Sequence, residues 1–214
     1  LIPKEAMPFR TTMGLTYDVG DFTEALERMP KIIDYSNFSG RQEKPKSNGK
    51  LRGISIVPFV ESPVGAQKEM GRVEILDTGK VTIFAGTQNH GQGHETTYPQ
   101  VTSELLGIPY EDISLDWGDS KLLERGGGTH SDRSMRMMGQ ILYKISKDLI
   151  KKAYPVAAHL LQADEKTIRF IDGKFKMEGT GQEVSMQEVA ASYSTFNQTD
   201  KPLMSEYFQE GRIK

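Results

Sequence analysis

The residues with the most chemical potential lie in two glycine-rich stretches. The first is Gly86-Thr87-Gln88-Asn89-His90-Gly91-Gln92-Gly93-His94-Glu95-Thr96-Thr97, in which two glycines flank a carboxamide just ahead of a helical pattern. Glycine has no Cβ, so backbone there can approach a ligand closely. The first turn of a helix offers unpaired N–H groups that attract an anion or an electron-rich edge, and the Gln92 amide can both donate and accept. The second stretch, Gly126-Gly127-Gly128-Thr129-His130-Ser131-Asp132-Arg133-Ser134, repeats the device. Ser131 or Asp132 is its candidate helix cap. Arg133 is a first-turn cation, a position the helix dipole disfavours unless an anion lies nearby. Singly, each stretch reads equally well as a tight turn or a capped surface loop. Together, two loop-to-helix junctions in one domain can converge on one polyanionic ligand, which the residues describe only as phosphate-bearing. The third glycine of a dinucleotide fingerprint and the lysine of a phosphate loop are both missing.

Other chemistries are weaker. His90 and His94 are four apart beside Glu95, a spacing that would put both rings on one helix face as in a metal site. Gly91 and Gly93 argue against a helix through His90, and His94-Glu95-Thr96-Thr97-Tyr98 lacks the second histidine of a zinc protease. Ser131 or Ser134 as a nucleophile has no supporting base nearby in sequence. No metal ligand and no catalytic residue is therefore assigned. A stand-alone nucleotide- or anion-binding module without catalysis stays open as the alternative to an enzyme.

Composition narrows the setting. With 214 residues, 36% hydrophobic and 26% charged, the chain reads as globular, with enough length for a real core. A net charge of −2 and the lack of a basic stripe with interleaved aromatics point away from nucleic acid. No apolar run approaches the roughly 18–20 residues that cross a bilayer, and no signal peptide is evident. Cysteine is absent, which excludes disulfides, thiolate zinc sites and cysteine-ligated iron–sulfur clusters within these residues. A cytoplasmic location is expected.

The elements that must position the two loops follow from periodicity. Residues 1–20, with Pro3, Pro8, Gly14 and Gly20, read as an irregular N-terminal arm that needs something else to lie on. Residues 21–214 read as the body. Asp21 with Glu24 caps a helix carrying Phe22, Leu26, Met29 and Ile33, kinked at Pro30. Arg41 to Lys50 reads as a polar loop, and Ile54 to Val60 as an edge strand. Arg72 to Phe84 is a hairpin turning at Asp77-Thr78-Gly79-Lys80. A helix is expected from His94 to Leu106, burying Val101, Leu105 and Leu106, with Pro99 tolerable only in its first turn. Gly107 and Pro109 end it. Ile113 to Trp117 is a short strand. After the second glycine loop, a long helix buries Met135, Met138, Ile141, Leu142 and Ile145 and restarts at Pro155 toward Leu161. A second hairpin turns at Asp172-Gly173, and Ser185 to Glu188 is a capping box. The tail after Asn197 is loosely patterned. Hairpins without a βαβ rhythm give an α+β class, a mixed or antiparallel sheet packed with helices.

The run from Gly86 to Gly139 resembles the signature stretch of the molybdenum hydroxylase large subunit, the group that includes xanthine dehydrogenase, aldehyde oxidase and aerobic carbon monoxide dehydrogenase. Gly91-Gln92-Gly93-His94-Glu95-Thr96-Thr97 is similar to its Gly-Gln-Gly motif, in the form common among carbon monoxide dehydrogenase-like members. Leu106 to Ile113, Gly118-Asp119-Ser120 and Gly127 to Ser134 resemble the segments that follow, and Leu1-Ile2-Pro3, Gly14 to Phe22, Leu51 to Ile54 and Ala157 to Leu161 extend the likeness over nearly the whole chain. The resemblance implies a molybdenum–molybdopterin cofactor, in bacterial members often the cytosine dinucleotide form. Gln92 would face the molybdenum centre or its dithiolene, with Gly91 and Gly93 permitting the approach and His94 beside them. Thr129, His130 and the backbone of Ser131, Asp132, Arg133 and Ser134 would wrap the phosphates. Many members have Gly-Ser where this chain has Ser131-Asp132. A carboxylate there opposes a phosphate unless it turns away as the helix cap or pairs with Arg133.

The same resemblance says what must lie elsewhere. It implies oxidation of a small-molecule substrate, by hydroxylation of an aldehyde or N-heterocycle carbon or by oxidation of carbon monoxide, with water as the oxygen source. The glutamate general base and further cofactor loops belong to the remainder of the large subunit. FAD and 2Fe–2S centres belong to partner subunits or domains, in keeping with the lack of cysteine. By itself, the chain is expected to be an inactive fragment.

Overall fold

The structure, a computed structural model, describes residues 1–61, 65 and 67–211, Lys44 by its backbone alone. It divides into two compact units, Leu1–Val60 and Glu61–Lys214.

In the first unit, β1 (Phe9–Arg10) and β2 (Thr16–Tyr17) form a minimal antiparallel hairpin within the otherwise irregular arm. Helix α1 (Phe22–Ile32) begins as the sequence predicts: the Asp21 carboxylate accepts from the Glu24 N–H at 3.0 Å. Pro30 falls in its last turn. Two expectations fail here. The predicted loop at Arg41–Lys50 is mostly helical, α2 spanning Phe38–Ser47. Gln, Glu, Lys and Arg are good helix formers even without an apolar face, and long side chains tie this helix down. Arg41 Nη2 donates to the carbonyls of Ile33 and Asp34, both at 2.6 Å, and Gln42 Nε2 donates to the Arg52 carbonyl at 2.9 Å. The predicted edge strand at Ile54–Val60 has no regular structure and no ladder partner among the described residues; Pro58 removes a donor from its middle. No described side chain of this unit is fully buried.

The second unit holds the core. Its main sheet has the order β5-β4-β3-β9, from β3 (Lys68–Ile75), β4 (Val81–Ala85), β5 (Ile113–Trp117) and β9 (Leu203–Glu210). The β4–β5 pair is parallel and the others are antiparallel, so the sheet is mixed and the class α+β, as expected. The loosely patterned tail thus supplies a full edge strand, with Leu203 opposite Ile75 and Glu210 opposite Lys68. Its signal was faint because Ser205 occupies a buried position where an apolar residue would be looked for.

Helix α3 (His94–Leu106) has the predicted bounds, ending at left-handed Gly107. Pro99 sits beyond the first turn, and Val101 and Leu105 are only half-buried; Tyr98, Pro99, Thr102 and Leu106 are the buried ones. The 29-residue α4 (Arg133–Leu161) runs unbroken through Pro155, with no restart there. Met138, Ile141, Leu142 and Ile145 are fully buried against the sheet. Gly71 makes that approach possible, since a Cβ there would lie 2.5 Å from Met138 Cε. Met135 is 39% exposed and Met137 takes its expected place inside, because Met135 faces the recess described below. A smaller antiparallel sheet, β6 (Ile168–Ile171), β7 (Lys174–Met177) and β8 (Glu183–Ser185), follows. Its turn has both Asp172 and Gly173 at positive φ, 51° and 74°, the hairpin geometry that Asp-Gly favours. Helix α5 (Met186–Asn197) opens with the predicted capping box between Ser185 and Glu188.

Candidate functional site

The first glycine loop leaves β4 and delivers the chain to α3. Asn89 organises it, its Oδ1 accepting from the N–H groups of Gly91 and Gly93, both at 3.0 Å, while its Nδ2 donates to Glu95. Gly91 and Gly93 have φ of 101° and 76°, and the space where a Cβ would stand is open at both. Gln92 is exposed, with its Oε1 accepting from the His90 N–H at 2.5 Å. His90 therefore lies in the loop and not on the helix with His94, so the two rings do not share a helical face. Among the described residues no group of three metal-ligating side chains comes together.

Beneath this loop, the His94 ring is buried and stacks on Tyr98 at 4.6 Å. Its Nδ1 is buried without a hydrogen-bond partner. Burial pushes the imidazole pKa down, against smaller upward pulls from Glu95 and the Gln88 backbone, which favours the neutral ring. Tyr98 Oη shares a 2.9 Å hydrogen bond with Thr87 Oγ1.

The second glycine loop joins β5 to α4 and packs on the first. A Cβ on Gly126 would lie 3.1 Å from Gly86 Cα, and Thr129 Oγ1 donates to the Gln88 carbonyl at 2.6 Å. His130 bridges its own loop, with Nε2 at 3.2 Å from the Gly127 carbonyl oxygen and Nδ1 at 3.1 Å from Ser131 Oγ. Ser131 and Asp132 are consecutive left-handed residues, φ 50° and 51°. Neither caps α4 through its side chain: Asp132 is the N-cap residue by position and makes no side-chain cap bond.

The two loops enclose one concave recess of about 380 Å³, lined by Gln92, His94, Thr129, His130, Ser131, Asp132, Ser134 and Met135. Gly91 and Gly93 are the chain neighbours of Gln92 and are not themselves part of the lining. Arg133 departs from expectation. It is fully buried, pointing away from the recess, with Nη1 at 2.9 Å from Glu69 Oε2. Its N–H also donates within the loop, to the His130 carbonyl at 3.1 Å. The nearby anion that its first-turn position called for is thus a protein carboxylate. Neither escape open to Asp132 is taken, since it does not cap the helix and Arg133 pairs with Glu69; Asp132 is exposed and is one of the residues that line the recess. A second recess of about 370 Å³ adjoins through Thr129 and takes in Gln88, His90, Gly118, Asp119 and Arg125.

Sequence reasoning missed Met135 as a wall of the recess and Glu69 as an anchor. Glu69 had a signal: in β3 it is in phase with Gly71, Val73 and Ile75, the inward positions, where a carboxylate needs a partner.

The model of the molybdopterin cofactor-binding domain matches residues 28–211. The chain belongs to that family. This cofactor-binding domain is 33% identical over 196 residues to the large subunit of nicotine 6-hydroxylase of Paenarthrobacter nicotinovorans, covering 86% of the chain and 24% of the relative. It is 31% identical to the carbon monoxide dehydrogenase large chain of Hydrogenophaga pseudoflava, covering 83% and 24%. In three dimensions it is similar to carbon monoxide dehydrogenase from Oligotropha carboxidovorans, with a TM-score of 0.64 and 25% identity, covering 98% of the chain and 29% of that structure. The domain thus spans about a quarter of the length of the curated relatives it matches. The likeness to molybdenum hydroxylase large subunits, first visible in the Gly86–Gly139 motifs, extends along most of the chain. No helix among the described residues is long and apolar enough to cross a membrane.

Proposed function

We propose that the recess between the glycine loops holds the molybdenum–molybdopterin cofactor, as part of the large subunit of an oxidoreductase that hydroxylates an aldehyde or N-heterocycle carbon or oxidises carbon monoxide. The observation that carries this reading is the convergence of the loops. They are far apart in sequence, and a fold that used both merely as turns had no reason to put Gln92 and Ser131 on one surface. The chemistry of the lining also fits the group. Open space above Gly91 and Gly93 suits close approach of a bulky heterocycle. Buried His94 Nδ1 lacks a protein partner, and a buried polar atom is costly unless something bonds it. The N-terminus of α4 offers backbone donors and a favourable dipole to phosphate.

In this reading Gly91, Gln92, Gly93 and His94 stand at the metal and dithiolene end. Thr129, His130 and the backbone of Ser131, Asp132 and Ser134 receive the phosphates of a cytosine dinucleotide form. Arg133 contributes from behind and not by contact. When bound, the cofactor supplies the two-electron redox centre at which water oxygen is transferred to substrate. This chain's residues bind and orient it, and the general base lies in the remainder of the large subunit. Residues 1–20 are taken as an irregular N-terminal arm and residues 21–214 as part of the cofactor-binding domain. FAD and iron–sulfur centres lie in partner subunits or domains of a cytoplasmic enzyme, in keeping with the lack of cysteine here.

The test is elemental and nucleotide analysis of the full-length large subunit purified with its partners. Molybdenum and cytidine nucleotide close to one per subunit are expected. A subunit with neither would favour a stand-alone anion-binding module and sink the reading.

A further inference from the structure

We propose that Glu69 and Arg133 are positioning residues for the cofactor phosphates, a buried pair that sets the second glycine loop in its binding shape before the ligand arrives. The inference rests on the cofactor reading of the recess. Glu69 reaches from β3 into the base of both loops. Its Oε1 accepts from the Met70 N–H at 3.0 Å, and its Oε2 accepts from the Gly127 N–H at 3.2 Å and from Arg133 Nη1 at 2.9 Å. Arg133 Nη1 also donates to the Gly128 carbonyl at 2.5 Å, and Nη2 to the Lys68 carbonyl at 2.6 Å. One guanidinium therefore ties together a strand, a glycine loop and the first turn of α4. The Arg133 N–H meanwhile closes on the His130 carbonyl, so residues 128–133 are held at both ends by the same residue.

Three features say that this arrangement fixes geometry and is more than packing. Ser131 and Asp132 are successive non-glycine residues in the left-handed region, a conformation that persists only where the surroundings over-determine it; the Gly128 and Arg133 anchors bracket them. The glycines leave no slack. A Cβ on Gly127 would lie 2.2 Å from Arg133 Nη2, and one on Gly86 would lie 2.5 Å from Glu69 Oε1, so both loops are seated on the same pair. A buried ion pair is also a poor stabiliser compared with apolar packing of equal volume, whereas its planar fork is specific in direction. The unit already has an extensive apolar core.

The experiment uses the full-length large subunit with its partner subunits, made in a host that synthesises the cofactor. Wild type, Glu69→Gln, the neutral pair Glu69→Gln/Arg133→Met, and Arg133→Lys are compared. The readouts are molybdenum and nucleotide per subunit, the rate of nucleotide loss on dialysis, and thermal unfolding. Glu69→Gln strands a buried charge and should lower both stability and loading. The neutral pair should recover most of the wild-type thermal stability and still hold at least ten-fold less nucleotide. Arg133→Lys keeps the charge without the fork and should lose nucleotide at least five-fold faster; it carries the test if the neutral pair does not fold. Nucleotide retention within two-fold of wild type in either of these variants, or retention that simply tracks thermal stability across the set, overturns the proposal. Wild-type protein without molybdenum or nucleotide removes the underlying reading instead, and the proposal falls with it.

Discussion

Tyr98 should make the domain lose stability in alkali, by an amount that can be worked out. Its side chain is fully buried between His94 and the base of the loops, with the Oη held to Thr87 Oγ1 at 2.9 Å. Burial, outweighing the opposing hydrogen bond from Thr87, pushes the phenol up to about 12. In an unfolded chain it titrates near 10. The folded value is the higher one, so the fold favours the neutral form. That contribution is whole below about pH 10 and is lost as pH rises through 12. Two units correspond to about 2.7 kcal/mol. Tyr98→Phe abolishes this titration but leaves Thr87 Oγ1 buried without its partner, which costs about 1–3 kcal/mol. Urea unfolding of both proteins across the alkaline range should therefore show Tyr98→Phe as the less stable form near neutrality. The gap should close or reverse as pH passes about 11. General alkaline effects, such as lysine deprotonation, act on both proteins and cancel in the difference. A gap that stays constant from neutrality to alkali would refute the burial argument.

Other consequences can be measured on the intact enzyme. Replacing Gly91 or Gly93 by Val forces a β-branched residue to φ 101° or 76°, at about 1–3 kcal/mol, and fills the open space above the loop; molybdenum per subunit should fall. Gln92→Ala removes the bond to the His90 N–H, worth about 0.5–1.5 kcal/mol, and should lower turnover more than loading. Asp132→Asn takes an anion out of the recess; relief of about 1 kcal/mol should slow nucleotide loss several-fold, and faster loss would show that the carboxylate assists binding. The isolated 214-residue chain should bind little cofactor and self-associate in sedimentation, because Met13, Val19, Leu51 and Phe59 are among its exposed apolar residues.

Local physics decided which elements were legible in the sequence. The bounds of α3 were readable because glycines at positions 93 and 107 stand at its two ends. The turn at Asp172-Gly173 and the Ser185–Glu188 box were readable because cap and turn chemistry involves only neighbours. Helix α2 was missed because it has no apolar face, and its ties, Arg41 to the end of α1 and Gln42 to Arg52, are non-local. The edge strand β9 was missed for a related reason. An edge strand buries one face only in part, and Lys144 reaches from α4 to Tyr207 and Gln209, a polar contact that dilutes the alternation.

Arg133 shows where motif and proximity part company. A cation in the first turn of a helix, beside a glycine loop suited to phosphate, is naturally read as a phosphate ligand. The reasoning that it needed an anion was sound; the identity of the anion was not available locally, because Glu69 lies in a different strand, far earlier in the chain. Two further pieces of physics decide the matter. The Arg133 guanidinium has carbonyl partners at Lys68 and Gly128 besides the carboxylate, and satisfying all of them requires it to turn inward, away from solvent. And the Arg133 N–H closes the four-residue turn from His130 to Arg133, while Arg133 is not among the residues that line the recess. An inward-phased carboxylate in a strand and an orphan cation in a glycine loop are, each alone, anomalies of the sequence. A buried charge needs a partner, so two such anomalies of opposite sign predict one another. Glu69 and Arg133 follow that rule in the folded chain, and their pairing places the Arg133 side chain on the protein's side of the loop.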